Sequence, residues 1–208
     1  MMPESDIVLP GQPGPWKRPL AFVDNETTGL RAESCDIIET AIIRDAIPWA
    51  SKIRITQWDE QRADNLTRPN DKKTWRDLTG YSRDEWRSAP TAAELAPQVA
   101  SQLHGCVIVA HNAPFDVEFM ASYLERNGIA WRRVWCGSMI DTYPLAKSVL
   151  GPLGLKKFSL HACCEFLGLE PEGIHRALGG ALRVRALYGQ LCKWIWDGRG
   201  GRVAAHSQ

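Results

Sequence analysis

The chain has 208 residues, of which 44% are hydrophobic and 24% are charged, a balance typical of a soluble globular protein with a substantial core. Its formal net charge of +1 excludes a uniformly basic nucleic-acid-binding protein, so any such surface must be a local patch. No apolar run approaches the roughly 20 residues that cross a bilayer, and the N-terminus lacks the pattern of a secretory signal. We therefore expect no membrane contact and a cytoplasmic location.

Composition divides the chain into three segments. Residues 1–17 contain four prolines and are expected to form a flexible arm, and residues 198–208 begin with closely spaced glycines and are expected to form a flexible tail. Residues 18–197 are predicted to form one domain. The six cysteines include no C-x-x-C pair, which favours free thiols in a reducing compartment. A zinc site formed by His161, Cys163 and Cys164 is the alternative, although their spacing differs from that of usual ligand pairs.

The first half of the domain is predicted to be rich in strands. Residues 19–24 and 37–44 are apolar and predict two buried strands, and the alternation over 51–57 predicts a third strand at a sheet edge. Residues 58–90 are polar and rich in turn formers, with short helical stretches around Trp75 and Trp86.

The second half alternates between strand and helix signals. Thr91 and Glu94 form a capping-box pattern at the start of a helix over 91–103, and residues 106–110 predict a buried strand. A helix over 114–126 follows, with Pro114 in its first turn. Further helices are predicted over 141–149, 159–168 and 176–196. The fold class is therefore α/β, with a mixed sheet flanked by helices.

The first predicted strand ends in the string D-N-E-T-T-G-L, residues 24–30. Residues two apart on a strand share a face, so Asp24 and Glu26 present two carboxylates together while Asn25 is turned away. Two such charges need a cation or a raised pKa, and Mg²⁺ or Mn²⁺ match oxygen ligands. Gly29 is expected to permit a sharp turn, and the amides of residues 27–28 can face a phosphate.

Two further strings complete a set of motifs. His111-Asn112-Ala113-Pro114-Phe115-Asp116 follows the strand over 106–110, and His175-Arg176-Ala177-Leu178-Gly179-Gly180 opens the last helix. Together with residues 24–30 they resemble the motifs of the DEDDh 3′→5′ exonucleases, the family of the bacterial replicative proofreading subunit. The resemblance spans residues 18–195 and implies a ribonuclease-H-like fold and two-metal-ion hydrolysis of nucleic-acid ends. Asp141, in the segment between the motifs, is interpreted as a helix cap rather than a ligand.

The resemblance assigns a role to each matching position. Asp24, Glu26 and Asp116 would hold Mg²⁺ or Mn²⁺, and His175 would take a proton from the attacking water. The remaining motif positions would bind the terminal nucleotide, and they are Thr27, Thr28, Gly29, Leu30, His111, Asn112 and Phe115. The side chain of Phe115 is also expected in the core.

Gly180 departs from the family pattern, which has an aspartate five positions after the histidine. Three carboxylates would leave two divalent ions with an excess charge of +1, and loss of a ligand is expected to weaken metal binding and activity. No acidic residue lies within one helical turn of Gly180. The chain is therefore a naturally impaired relative, an inactivated variant of an active enzyme, or an enzyme that uses water or another residue as a ligand.

The predicted substrate is the 3′ end of single-stranded DNA. A catalytically inactive module that binds nucleic-acid ends or a protein partner, and an exoribonuclease, remain alternatives, as does assembly as a homodimer or with a polymerase-type partner. Basic pairs at 132–133, 156–157 and 183/185 would rim the cleft and bind phosphates. Trp75 and Trp86 would stack on unpaired bases.

Overall fold

The computed structural model describes residues 18–66, 73–169 and 176–197. The predicted arm (1–17), the predicted tail (198–208) and His175 lie outside the described residues, so the three-segment division and the position of His175 stay predictions. Five strands form one mixed sheet in the order β3-β2-β1-β4-β5. Their bounds are β1 Leu20–Thr27, β2 Ile37–Arg44, β3 Ile47–Lys52, β4 Val107–Ala110 and β5 Met139–Asp141.

The sheet combines an antiparallel meander with a parallel extension. β2 pairs antiparallel with both β1 and β3, whereas β4 pairs parallel with both β1 and β5. The helices are α1 Gln57–Leu66, α2 Trp75–Thr79, α3 Arg83–Trp86, α4 Ala92–Leu103, α5 Ala113–Arg126, α6 Thr142–Leu150, α7 Leu160–Phe166 and α8 Ala177–Trp196. This arrangement is the predicted α/β class with a mixed sheet flanked by helices.

Alternate side chains of β1 point to opposite faces of the sheet, and the two faces are covered by different helices. Ala21 and Val23 belong to the larger core, which also contains buried residues of α4 and α5. Phe22 lies on the opposite face and packs with Ala181 and Val184 of α8. Successive residues of β1 therefore meet α5 and α8 in turn, and this alternation determines where each polar residue at the end of the strand lies.

Most predicted elements are present, and the differences have physical causes. The edge strand β3 covers Ile47–Lys52 rather than 51–57, although Pro48 lies within it. Proline is tolerated there because β3 is an edge strand that pairs with β2 only. A missing N–H on the unpaired side of β3 removes no hydrogen bond between the strands. α1 and β5 were not predicted, because α1 is mostly polar and β5 has only three residues. α4 begins with the predicted capping box between Thr91 and Glu94.

Both predicted base-stacking tryptophans are instead core residues. Trp75 is 5% exposed and Trp86 is fully buried, and their indole N–H groups donate to the Asp64 Oδ1 atom and the Ile38 carbonyl. The prediction that they stack on bases is therefore wrong. The short helices that carry Trp75 and Trp86 bury few other residues, so the surrounding sequence is polar. The sequence alone therefore suggested that the two tryptophans lie on the surface.

The six cysteines are free thiols, as predicted. The alternative zinc site is not assembled, because Cys163 and Cys164 lie on the buried side of α7, whereas the side chain of His161 is 68% exposed and lies near Glu165. None of the helices in the described ranges combines the length and the apolar character that a membrane crossing requires.

Candidate active site

The candidate site lies at the carboxyl edge of the parallel strands. β1, β4 and β5 run in the same direction, so the polar residues that end each of them meet at one edge of the sheet. β1 runs to Thr27, three residues beyond its predicted end, and therefore carries Asp24 and Glu26 within the strand. His111 follows β4, and Asp141 ends β5. Asp116 lies in the first turn of α5, which starts beside this edge.

Asp24 lies on the face of β1 that α8 covers. An ideal Cβ built on Gly180 would lie 2.2 Å from the Asp24 Oδ2 atom and 2.3 Å from its Cγ atom. Such distances are far inside van der Waals contact, so the Asp24 carboxylate fills the notch that a side chain at position 180 would need. Gly180, where the resemblance implies an aspartate, is thus the residue that accommodates Asp24 in this conformation.

Glu26 lies on the same face, two residues further along β1. Burial raises the pKa of Glu26 to about 7, with a further contribution from the charge of Glu39. Burial also raises the pKa of Asp24 well above its ordinary value, and the charges of Asp116 and Glu26 add to this effect while Arg183 opposes it. The acidic groups are therefore close enough to disfavour one another's ionisation, as the sequence predicted for a cation-binding pair.

Asp116 approaches the same region from the opposite face of the sheet. Asn25 is turned away from Asp24 and Glu26, and its Nδ2 atom donates a hydrogen bond of 2.8 Å to the Asp116 Oδ1 atom. Burial raises the pKa of Asp116 to about 8, although the hydrogen bonds from Asn25 lower it in part. Asn25 therefore joins β1 to α5 and fixes the orientation of Asp116.

The turn after β1 is held by hydrogen bonds that the sequence did not predict. The Thr28 amide donates to the Asp36 carbonyl at 3.0 Å, and the Thr28 hydroxyl accepts from the Asp36 amide at 2.9 Å. The Thr28 amide is therefore not available to a phosphate, contrary to expectation. The Thr27 hydroxyl donates to the Gly29 carbonyl at 2.7 Å, and Leu30 beyond it is 85% exposed.

Gly29 is required for a reason other than the predicted sharp turn. A Cβ at this position would lie 2.6 Å from the Cys35 Sγ atom, so the absence of a side chain permits close packing. The residue does not adopt a left-handed backbone conformation.

In the second motif, His111 and Phe115 contact other residues of the protein, whereas Asn112 is exposed. His111 is partly buried, and its Nδ1 and Nε2 atoms lie 3.0 Å from the Thr142 hydroxyl and 2.7 Å from the Phe158 carbonyl. Because both ring nitrogens have partners within the protein, this geometry gives His111 a positioning role rather than direct contact with a nucleotide. Asn112 is exposed in a left-handed conformation with a φ of 71°, and Phe115 packs on Phe119 at 4.7 Å between ring centroids.

Asp141 caps a helix, as predicted. Its Oδ1 atom accepts hydrogen bonds of 2.9 Å from the amides of Tyr143 and Asn112. It thereby joins the start of α6 to the start of α5, and its charge contributes to the raised pKa of the nearby Asp116.

The donor chemistry of this edge fits a divalent cation. Carboxylate oxygens are the ligands that Mg²⁺ and Mn²⁺ prefer, and clustered buried carboxylates are most stable when a cation balances them. Within residues 18–66, 73–169 and 176–197, however, no group of three His, Cys, Asp or Glu side chains stands ready in a metal-ligand arrangement. Gly180, where the resemblance implies a further carboxylate, provides none, and the Asp24 carboxylate lies in the notch beside it.

Sequence reasoning missed the role of Asn25, which it only placed on the other face of β1, and missed Glu39 altogether. Glu39 lies on β2 directly opposite Glu26 and is 6% exposed. The available signal was its place as the single acidic residue in the buried strand IIETAIIR. A buried charge in such a strand is rare unless it is paired or has a functional role.

The basic pairs lie at different edges of the sheet. Lys156 and Lys157 are exposed and immediately precede Phe158, whose carbonyl bonds to His111 at the carboxyl edge. Arg132 and Arg133 are exposed beside Val134, whose carbonyl accepts from Gly105 just before β4 begins. The arginine pair therefore lies at the opposite edge, and the expectation that it rims the candidate site is wrong.

Comparisons with known proteins agree with this architecture. Residues 21–188 match the model of the Exonuclease family (RNase_T). The chain is 34% identical over 168 residues to the PolC-type DNA polymerase III of Thermotoga petrophila, covering 79% of this chain and 11% of that protein. It is 30% identical over 154 residues to the DNA polymerase III subunit epsilon of Treponema pallidum, covering 74% of this chain and 67% of the subunit.

A solved structure shares the fold. E. coli exonuclease I in complex with a dT13 oligonucleotide superposes with a TM-score of 0.68 at 20% sequence identity, covering 87% of this chain and 43% of that protein. The chain thus spans about a tenth of the PolC-type relative and less than half of exonuclease I.

Proposed function

Because the chain belongs to the Exonuclease family, we propose that it is a divalent-cation-dependent 3′→5′ exonuclease of single-stranded DNA ends, with activity lowered by Gly180. The observation that carries this proposal is the meeting of Asp24, Glu26 and Asp116, all with raised pKa values, at the carboxyl edge of the sheet. The similarity to DNA polymerase III subunits and to exonuclease I supports DNA as the substrate and a polymerase-type protein as a partner. The assay below distinguishes RNA from DNA as the substrate. A measurement of molecular mass in solution distinguishes a homodimer from a monomer.

Each proposed role follows from where the residue lies. Asp24 and Glu26 on β1, with Asp116 on α5, would hold Mg²⁺ or Mn²⁺, and Asn25 keeps Asp116 oriented. When bound, such ions activate a water and stabilise the leaving 3′ oxygen. His175 would accept the proton of that water, since an imidazole near neutrality suits a general base.

Substrate contacts would come from the exposed side of the same edge. Leu30 is 85% exposed at the tip of the turn after β1 and would pack against the terminal base, and Asn112 of the second motif is also exposed, just after β4. Lys156 and Lys157 at the same edge would bind phosphates. The backbone hydrogen bonds of Thr28 and the buried contacts of His111 hold these elements in place.

Gly180 favours one alternative function, a catalytically inactive module that binds DNA ends. Loss of supporting groups around a metal ligand typically lowers affinity or activity about 10- to 100-fold, and loss of a ligand itself is expected to exceed that. The wild-type chain would then bind 3′ ends without hydrolysing them, and its partner would use it as a recognition module.

The test compares the wild-type chain with its Gly180→Asp variant. Each is incubated with Mn²⁺ or Mg²⁺ and a 5′-labelled single-stranded oligonucleotide of DNA or RNA, with a free or a blocked 3′ end. We expect Gly180→Asp to shorten the free 3′ DNA end stepwise, and the wild-type chain to do so at least about 10-fold more slowly. Gly180→Asp combined with Asp24→Asn serves as the matched inactive control.

The possible outcomes of that assay distinguish a DNA exonuclease, an exoribonuclease and a binding module from one another. Stepwise shortening by Gly180→Asp alone, with binding of 3′ ends by both chains, identifies the wild-type chain as the binding module. Shortening of RNA but not DNA identifies an exoribonuclease. Intact oligonucleotides with a folded Gly180→Asp variant in both metals would contradict the exonuclease proposal.

A further inference from the structure

Glu39 lies on the same face of the sheet as the two carboxylates of β1. The register pairs Glu26 with Glu39 across the antiparallel strands, and Asp24 with Ala41 two residues away. Side chains of directly opposite residues share a face, with their Cβ atoms about 4.5–5.5 Å apart. This is the face that α8 covers and on which Gly180 contacts Asp24. Three acidic side chains therefore lie on the face of the sheet where the family pattern has a carboxylate at position 180, and Asp24 is the one in contact with Gly180.

Glu39 is buried and incompletely paired. The residue is 6% exposed, and its Oε2 atom is buried with no hydrogen-bond partner among the residues described. Leaving a buried charged group unsatisfied costs more than a typical hydrogen bond contributes, so such an atom calls for an explanation.

The neighbouring cations are engaged elsewhere. Arg176, the first residue before α8, lies 2.6 Å from the Glu85 Oε1 atom, and Lys52 contacts the same oxygen. Both cations attract Glu39 through space, but both hydrogen-bond to Glu85. Burial nevertheless raises the pKa of Glu39 above its ordinary value, so the nearby basic residues only partly offset the cost of its charge and provide no partner for its Oε2 atom.

We propose that Glu39 supplies a carboxylate to the divalent-cation site of this chain, on the face of the sheet where Gly180 supplies none. The inference rests on the proposed function, and it goes beyond that function by assigning a residue that lies outside all three sequence motifs. A glutamate has one more methylene than an aspartate, which lets it reach from β2 toward Asp24 and Glu26. A cation held by oxygens at about 2.0–2.6 Å would satisfy its unpaired atom.

The experiment measures Mn²⁺ binding by calorimetry to the full chain after removal of cations, so the readout does not depend on turnover. We expect Glu39→Gln, which keeps the shape of the side chain, to weaken Mn²⁺ binding by at least about 10-fold. Glu118→Gln, at an exposed position of α5, is the matched control and is expected to bind Mn²⁺ as the wild-type chain does. Circular dichroism of each cation-free variant checks that it is folded, and Glu39→Met, which also removes the carboxylate and carries the same expectation, replaces Glu39→Gln if the latter does not fold.

The Gly180→Asp background provides the second half of the test. If Glu39 compensates for the absent ligand, Glu39→Gln weakens Mn²⁺ binding less in the Gly180→Asp variant than in the wild-type chain. Equal Mn²⁺ affinity of Glu39→Gln and the wild-type chain would overturn the inference while leaving the exonuclease proposal intact. Should only Gly180→Asp bind Mn²⁺, and bind it equally well after Glu39→Gln, the inference also fails. Absence of binding to every variant, together with absence of nucleotide release, would overturn the proposed function itself.

Discussion

At the scale of single residues, the close approach of Gly180 to Asp24 is the distinctive feature of this chain. A glycine inside a helix costs about 1 kcal/mol relative to alanine, so α8 gains no stability from Gly180 itself. The absence of a side chain at Gly180 instead leaves room for the Asp24 carboxylate, which fills the space that any Cβ would need. A side chain at position 180 and the present conformation of Asp24 exclude one another.

This exclusion predicts that substitutions at the two positions are not additive. Gly180→Ala in an Asp24→Ala background should raise the free energy of unfolding by about 1 kcal/mol, because the new Cβ then has room and the helix gains stability. In the wild-type background the same change displaces a buried carboxylate, and most of that gain should be cancelled. Urea unfolding of the four chains measures the coupling. Equal effects of Gly180→Ala in the two backgrounds would contradict the observed packing.

The buried carboxylates also predict an unusual pH dependence without divalent cations. The pKa values of Glu26 and Asp116 rise from 4.5 and 3.8 to about 7 and about 8 in the folded chain. Between about pH 4 and pH 8 the folded state therefore keeps protons that the unfolded state has released. The free energy of unfolding should consequently fall as pH rises through this window, by an amount on the order of a few kcal/mol.

Asp116→Asn tests this dependence with little change in shape, because an amide oxygen can still accept from Asn25. In EDTA, the variant should match the wild-type chain near about pH 4.5 and exceed its stability near about pH 8. The exposed Asp84→Asn change is the control and should leave the slope as it is. A slope that Asp116→Asn does not reduce would show that Asp116 ionises normally.

At the scale of elements, the polar segment between β3 and α4 is organised around a buried carboxylate. Glu60 of α1 is 4% exposed and accepts hydrogen bonds from Arg76, Arg83 and the Tyr81 hydroxyl, at 3.1, 3.0 and 2.9 Å. Burial raises the pKa of Glu60, but these hydrogen bonds lower it by more, so that its pKa lies below 4.5. The contacts join three short helices that bury few apolar residues of their own.

Glu60→Gln should therefore destabilise the chain, by about 1–3 kcal/mol, because a neutral amide replaces a charged acceptor of several hydrogen bonds. The lowered pKa means that the contribution of Glu60 is present above about pH 4.5 and disappears as pH falls further. Thermal unfolding near neutral pH measures the difference, with Glu118→Gln, at an exposed position of α5, as the control. Equal melting temperatures of Glu60→Gln and the wild-type chain would show that the helices are held by other contacts.

These helices also show why part of the fold was not predictable from the sequence. β1, β2 and β4 have continuous apolar patterns, and α4 has a capping box, so local signals were sufficient there. α1 has no such pattern because its main buried residue is a glutamate whose partners are 16 to 23 residues away. The same limit applies to Glu39, whose proximity to Glu26 depends on strand pairing rather than on sequence spacing.

At the scale of the whole molecule, a net charge of +1 means that DNA affinity depends on where the basic residues lie. The sheet places Lys156 and Lys157 at the carboxyl edge with the acidic residues, and Arg132 and Arg133 at the other edge. The first two motifs follow apolar strands in the sequence, and both strands end at this edge. The motifs could not predict which basic pair shares that edge, because this follows from the direction of β4 in the sheet.

This placement predicts an asymmetry in DNA binding. Lys156→Gln with Lys157→Gln should weaken binding of single-stranded DNA and reduce its salt dependence, by about 0.7 in the logarithmic slope for each phosphate that the lysines no longer neutralise. Arg132→Gln with Arg133→Gln removes the same charge from the opposite edge and should change neither quantity. Fluorescence anisotropy over a range of salt concentrations measures both. Equal weakening by the two pairs would contradict a DNA path along the carboxyl edge.

The most direct test of the proposed active site is the position of a bound cation. Crystals of the Gly180→Asp variant grown with Mn²⁺ would locate the metal by its anomalous scattering. We expect a peak at about 2.0–2.6 Å from carboxylate oxygens of both Asp24 and Glu26, beside Asp116. A fully ordered site without that peak, or with Mn²⁺ bound only elsewhere on the chain, would contradict the proposed cation site.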